Sequence, residues 1–87
     1  MPEKVDKREL IRLVARRTGR DPVVVAEVIE GTLAEIVEAL EIGKSVSLRD
    51  FGTFYVRPER AQWVFKFNPS QRLRKVLGWS STYRGDG

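Results

Sequence analysis

The chain contains no cysteine and no histidine. Without cysteine there is neither a disulfide nor a thiolate metal site. Without histidine the usual general base, the commonest metal ligand and the switch that titrates near neutrality are all missing. The carboxylates Asp50 and Glu59 read as turn residues, because nothing in their spacing sets them up as an acid and base pair. There is no glycine-rich phosphate loop, no internal repeat and no low-complexity segment. The chain therefore reads as a non-enzyme with no cofactor, no metal and no small-molecule substrate. No apolar run approaches the length of a membrane span, and the amino terminus lacks a signal-peptide pattern. The expected location is the cytoplasm, with no membrane partner.

What is present is a short chain with an uneven charge. Eighty-seven residues bury only a modest core, so association with a second copy is the physical expectation. The net charge is +4. Residues 1–43 hold seven Lys/Arg against nine Asp/Glu, and residues 44–87 hold nine against three. The second half is thus the basic one. A basic surface attracts phosphate backbones, although charge on its own also serves solubility.

Apolar spacing divides the chain into elements. Leu10, Ile11, Val14 and Ala15 make a helical stripe. Asp6 is placed to cap that helix, Glu9 to complete a capping box, and Gly19 to end it. Arg12, Arg16 and Arg20 recur on one face and read as a solvated side rather than a DNA contact. Asp21-Pro22 then opens a long helix from Val23 to Ile42. Its face of Val25, Val28, Ile29, Leu33, Ile36, Val37 and Leu40 is too wide for the first helix to cover alone. Gly43 stops it. Three strands follow: Ser45 to Leu48, Phe51 to Arg57, and Trp63 to Phe67. Arg49-Asp50 forms the first turn. Pro58 to Gln62 forms a five-residue polar loop, since proline disfavours a central strand. Phe54 and Val56 share one sheet face, and Tyr55 and Arg57 the other. Gly52 allows a close backbone approach or a bend. Pro69 ends the sheet, Ser70 caps a last helix from Gln71 to Leu77, and Gly78 stops it.

Two motifs carry a resemblance. Phe51-Gly52-Thr53-Phe54-Tyr55-Val56-Arg57 is similar to the F-G-x-F-x-V-R strand of the HU/IHF family of bacterial nucleoid DNA-binding proteins. Phe67-Asn68-Pro69-Ser70-Gln71-Arg72-Leu73-Arg74 resembles the family's entry to its last helix, with Asn68 in place of a basic residue and Ser70 in place of glycine. Between these motifs the family carries a long β-arm, and here the gap is only about ten residues. The resemblance spans roughly residues 4–77.

The resemblance implies an α+β fold built as an intertwined homodimer. Each copy would have two N-terminal helices, a three-stranded antiparallel sheet with a truncated arm, and a short C-terminal helix. Residues 1–78 would form the domain and 79–87 a flexible tail. The partner implied is double-stranded DNA in the nucleoid, bound without sequence preference and bent weakly. The residues implied at the DNA are Arg57 at the base of the arm, Arg60 in the shortened loop, Lys66 on the third strand, and Gln71, Arg74 and Lys75 on the last helix. The rival reading is a dimeric scaffold or protein-interaction module that has lost DNA binding.

Overall fold

The computed structural model describes residues 3–78. The element order is α1 (Lys7–Thr18), α2 (Pro22–Glu41), β1 (Val46–Leu48), β2 (Gly52–Glu59), β3 (Gln62–Pro69) and α3 (Gln71–Val76). This is the expected α+β order. The described residues fall into two compact units, which divide within α2 between Val37 and Glu38. The segment 79–87, expected to be a loose tail, lies outside the described residues.

The first unit holds α1 and most of α2. The Asp6 carboxylate accepts the Glu9 backbone N–H at 2.9 Å, which satisfies one of the orphan donors of the first turn. Only half of the expected capping box forms, because the Glu9 side chain turns to the Arg12 guanidinium instead. Gly19 takes a left-handed φ of 72° and returns its N–H to the Ala15 carbonyl at 2.9 Å. The Asp21 carboxylate then accepts the Val23 N–H at 2.8 Å, with Pro22 in the first helical position where a missing N–H costs nothing. An ion pair of 3.4 Å between Lys7 and Glu30 links the two helices. Ala15 and Val25 are the buried apolar residues of this unit, whereas Leu10, Val24, Val28, Leu33 and Val37 stay exposed.

The second unit begins at the end of α2. Lys44 N–H donates to the Ala39 carbonyl at 2.9 Å and Gly43 N–H to the Leu40 carbonyl at 3.0 Å. This pair of crossed bonds, with Gly43 at φ 82°, is a Schellman stop. The sheet that follows is antiparallel with order β1-β2-β3. Its register sets Phe54 opposite both Val46 and Phe67, and Val56 opposite Phe65. One face is thus aromatic and aliphatic. Phe54 lies 4.8 Å from Phe67 and 6.1 Å from Phe65, ring centre to ring centre, and Phe51 lies 5.7 Å from Phe67. The other face carries Ser47, Thr53, Tyr55, Arg57, Glu59, Val64, Lys66 and Asn68.

Three expectations need correction here. Pro58 is not in a loop. It belongs to β2, opposite Trp63, and the turn is the two residues Arg60 and Ala61. The reason is that β1 pairs only with Gly52–Phe54, so β2 has an open edge beyond that point. A two-residue hairpin turn closes on a hydrogen-bonded pair, here Glu59 and Gln62, and hydrogen-bonded pairs alternate along an antiparallel ladder. The backbone nitrogen of Pro58 therefore faces the open edge, where no ladder bond is lost. In consequence the hairpin does not stop at the body of the sheet. It runs five residues past the segment paired with β1, roughly 17 Å at the usual strand rise. Gly78 is not the helix stop either. α3 closes on Leu77 in an extended conformation, its N–H donating to the Leu73 carbonyl at 2.9 Å, so no left-handed residue is required.

Candidate nucleic-acid interface

The register decides which cations meet. Arg57 and Lys66 point from the polar face of the sheet, on neighbouring strands. Glu59 sits two residues beyond Arg57 on the same face and draws both together. Its Oε2 accepts from Arg57 Nη2 at 2.8 Å and from Arg57 Nε at 3.2 Å, and it lies 3.1 Å from Lys66 Nζ. In register, Lys66 faces Tyr55, four residues back from Glu59, so the two long side chains run along the strands and meet near the Arg57 position. The hydrogen bond from Arg57, then that from Lys66, holds the Glu59 carboxyl below the usual carboxylate range.

Arg74 joins the same face from α3. Its Nη2 donates to Asn68 Oδ1 at 2.6 Å, and Asn68 lies two residues beyond Lys66 on the polar side of β3. The start of α3 is fixed by its own cap, Ser70 Oγ accepting the Leu73 N–H at 3.2 Å, and is tied to the residue before β2 by Ser70 N–H donating to the Phe51 carbonyl at 2.9 Å. Beside Arg74 lies a shallow cleft of about 370 Å³. Ser47, Arg49, Thr53, Asn68, Ser70 and Gln71 line it. Gln71, at the first turn of α3, faces this cleft, while Lys75 is exposed one turn further on. Arg60 stands apart at the hairpin tip, exposed and in a left-handed conformation with φ 58°.

Of the six residues singled out from the sequence, Arg57, Lys66 and Arg74 therefore come to one sheet face. Gln71 and Lys75 extend this group along α3, and Arg60 marks its distal end. Sequence reasoning missed the hydroxyls of Ser47 and Thr53, which touch each other at 3.2 Å across β1 and β2, and it missed Arg49. Strand alternation would have placed Ser47, Thr53 and Arg57 on one side. It also took Glu59 for a turn residue, whereas Glu59 is the last strand residue and the anion of the site.

Such a surface suits an extended polyanion. It is open, carries guanidinium and ammonium donors with hydroxyls and amides between them, and has no metal-binding cluster among the described residues. The comparisons with known proteins give the family. The family model described as bacterial DNA-binding protein matches residues 5–63. This chain belongs to that family. It is 34% identical to the DNA-binding protein HU of Thermus thermophilus over 70 residues, which covers 80% of this chain and 72% of the relative. It is 30% identical to integration host factor subunit alpha of Bordetella avium over 92 positions, covering 87% of this chain and 79% of the relative. Among solved structures, HU from Thermotoga maritima superposes with a TM-score of 0.73 at 33% identity, covering 83% of this chain and 97% of that one. The HU-like fold read from the two sequence motifs is therefore correct.

Proposed function

We propose that this family member is a dimeric, sequence-nonspecific binder of double-stranded DNA, an architectural protein of the nucleoid that bends DNA weakly. The carrying observation is the two-sided sheet, with Arg57, Lys66 and the Arg74–Asn68 pair on one face and an unsatisfied apolar face behind it. The basic face, its cations held by Glu59 and Asn68, is the one that would lie on phosphates, while the apolar face is consumed by association. The family description and the names of the relatives support the same partner.

Dimerisation follows from what one copy leaves uncovered. Phe51, Trp63 and Phe65 in the second unit, and Val28, Leu33 and Val37 in the first, are all exposed in a single chain, Val28 by 61% and Trp63 by 64%. A second copy of the chain supplies the missing apolar partner. Affinity for DNA then comes from counterion release, as Arg57, Lys66, Arg74, Lys75 and Arg60 approach phosphates. Gln71 and the hydroxyls of the cleft add hydrogen bonds that fix position without reading sequence.

Weak bending follows from the length of the hairpin. A sharp kink needs a side chain wedged between base pairs from within the minor groove. A hairpin of roughly 17 Å beyond the β1-paired segment, with arginine and alanine at its tip, offers no such wedge. The alignment with the Bordetella relative is longer than the stretch of this chain that it covers. Its 92 positions use only 87% of 87 residues, about 76, so about 16 positions of the relative have no counterpart here.

The test is fluorescence anisotropy with duplexes of unrelated sequence across a salt series. Equal affinities that fall steeply with salt are expected, and no binding at low salt refutes the reading. Ring closure of short DNA fragments reports the bend: little or no enhancement is expected, and strong enhancement refutes weak bending. One observation favours the rival reading of a scaffold without DNA binding, namely that Glu59 already occupies Arg57 and Lys66.

A further inference from the structure

We infer that Glu59 is a built-in competitor for phosphate, which sets the DNA affinity of this chain below what its cations allow. The inference rests on the proposed function and adds to it the residue that tunes the site. Two nitrogens of Arg57 and the ammonium of Lys66 converge on a single anionic oxygen, Glu59 Oε2, at 2.8, 3.2 and 3.1 Å. A phosphate oxygen asks for the same donors. A phosphate arriving on this face must therefore displace the carboxylate or share the cations with it.

Displacement is feasible on the Arg57 side, which is open to solvent; the Lys66 side chain is only 16% exposed and is the partner more tightly kept. The Glu59 side chain is 35% exposed and that of Arg57 51%. Exposed ion pairs contribute little to stability, so breaking them is cheap. The greater cost lies in what remains. The carboxylate cannot leave the face, since Glu59 is anchored in the closing pair of the hairpin, opposite Gln62. It stays as a negative charge beside the DNA. A unit charge several ångströms from a phosphate in water changes affinity about threefold, and two copies in a dimer about tenfold. The anion also occupies the face that the charge count makes attractive, so counting Lys and Arg overstates the binding.

The experiment compares the wild-type protein with Glu59→Gln and with Glu35→Gln. The second variant makes the same change in net charge on α2. Each is titrated into a fluorescent duplex from low to physiological salt. About tenfold tighter binding by Glu59→Gln at low salt, with little change for Glu35→Gln, is the expected result. Glu59→Thr, which suits a strand and also removes the carboxylate, should tighten binding likewise and covers the case in which glutamine disturbs the hairpin. Wild-type binding that neither Glu59 variant improves overturns the inference while leaving the proposed function standing. Equal tightening by Glu35→Gln also overturns it, because net charge alone would then explain the effect. Failure of the wild type and of every variant to bind refutes the proposed function and this inference together. Binding by the Glu59 variants alone would support Glu59 as the residue that silences the surface while refuting the proposed function for the wild-type chain.

Discussion

Replacing Gly52 by alanine should be among the most damaging single-methyl changes in this chain. Gly52 is buried at the start of β2 with φ 155°, a conformation that side chains rarely adopt. A Cβ there would lie 2.6 Å from the Asn68 carbonyl oxygen and 2.7 Å from the Phe67 ring. The oxygen belongs to the backbone of the paired strand and cannot rotate away. The ring belongs to the aromatic cluster with Phe51 and Phe54. Backbone strain costs about 1–3 kcal/mol and overpacking about the same again. A total of about 3 kcal/mol is a conservative sum, which in a domain of this size lowers Tm by roughly 12–24 °C. Gly31→Ala is the matched control. It adds the same methyl in mid-helix, where nothing lies within 4 Å, and should instead stabilise by up to about 1 kcal/mol. Thermal unfolding followed by circular dichroism at one fixed protein concentration measures both. A fall of less than about 4 °C for Gly52→Ala would refute the argument, because the strand could then move aside at little cost.

The double variant Arg57→Ala/Arg74→Ala should weaken binding on all duplexes alike and flatten the salt slope by up to about 3.6 for a dimer, counting roughly 0.9 per phosphate contact; an unchanged slope would place the DNA on another surface. Sedimentation at micromolar concentration should find no folded monomer, and unfolding midpoints should rise with protein concentration; a concentration-independent midpoint would refute the need for a second copy. Arg60→Gly should relieve the left-handed strain at the hairpin tip and raise stability by roughly 0.5 kcal/mol, net of the extra freedom glycine gives the unfolded chain. The same change should weaken DNA binding, so melting temperature and affinity should move in opposite directions, and a joint rise would remove Arg60 from the interface.

Local chemistry made most of the fold legible. Asp6, Gly19, the Asp21-Pro22 pair, Gly43 and Ser70 each act within a few residues of themselves, through one or two hydrogen bonds. Alternation likewise separated Phe54 and Val56 from Tyr55 and Arg57. Pro58 was not legible, because its tolerance depends on how far β1 extends along a neighbouring strand, and β1 stops at three residues. Nor was Glu59. Its partnership with Lys66 spans a turn and four register positions, and a sequence shows neither. The six candidate cations and amides were legible as a basic second half. Their grouping was not, since it needed α3 to fold back so that Arg74 could reach Asn68.

The short β1 has one more consequence. From Tyr55 to Glu59 the outer edge of β2 has no strand beside it among the described residues. An uncovered edge is a template on which another chain can add a strand, and long apolar edges seed aggregates. By the alternation of the ladder, Val56 and Pro58 are the residues whose backbones point outward along this stretch. Proline has no N–H to give, so an incoming strand would find a single donor where it needs two. Arg57 and Arg60 add like charge to any copy that approaches edge to edge. Pro58 thus blunts this edge: the residue that seemed to forbid a strand at this position makes the strand a poorer template for another chain.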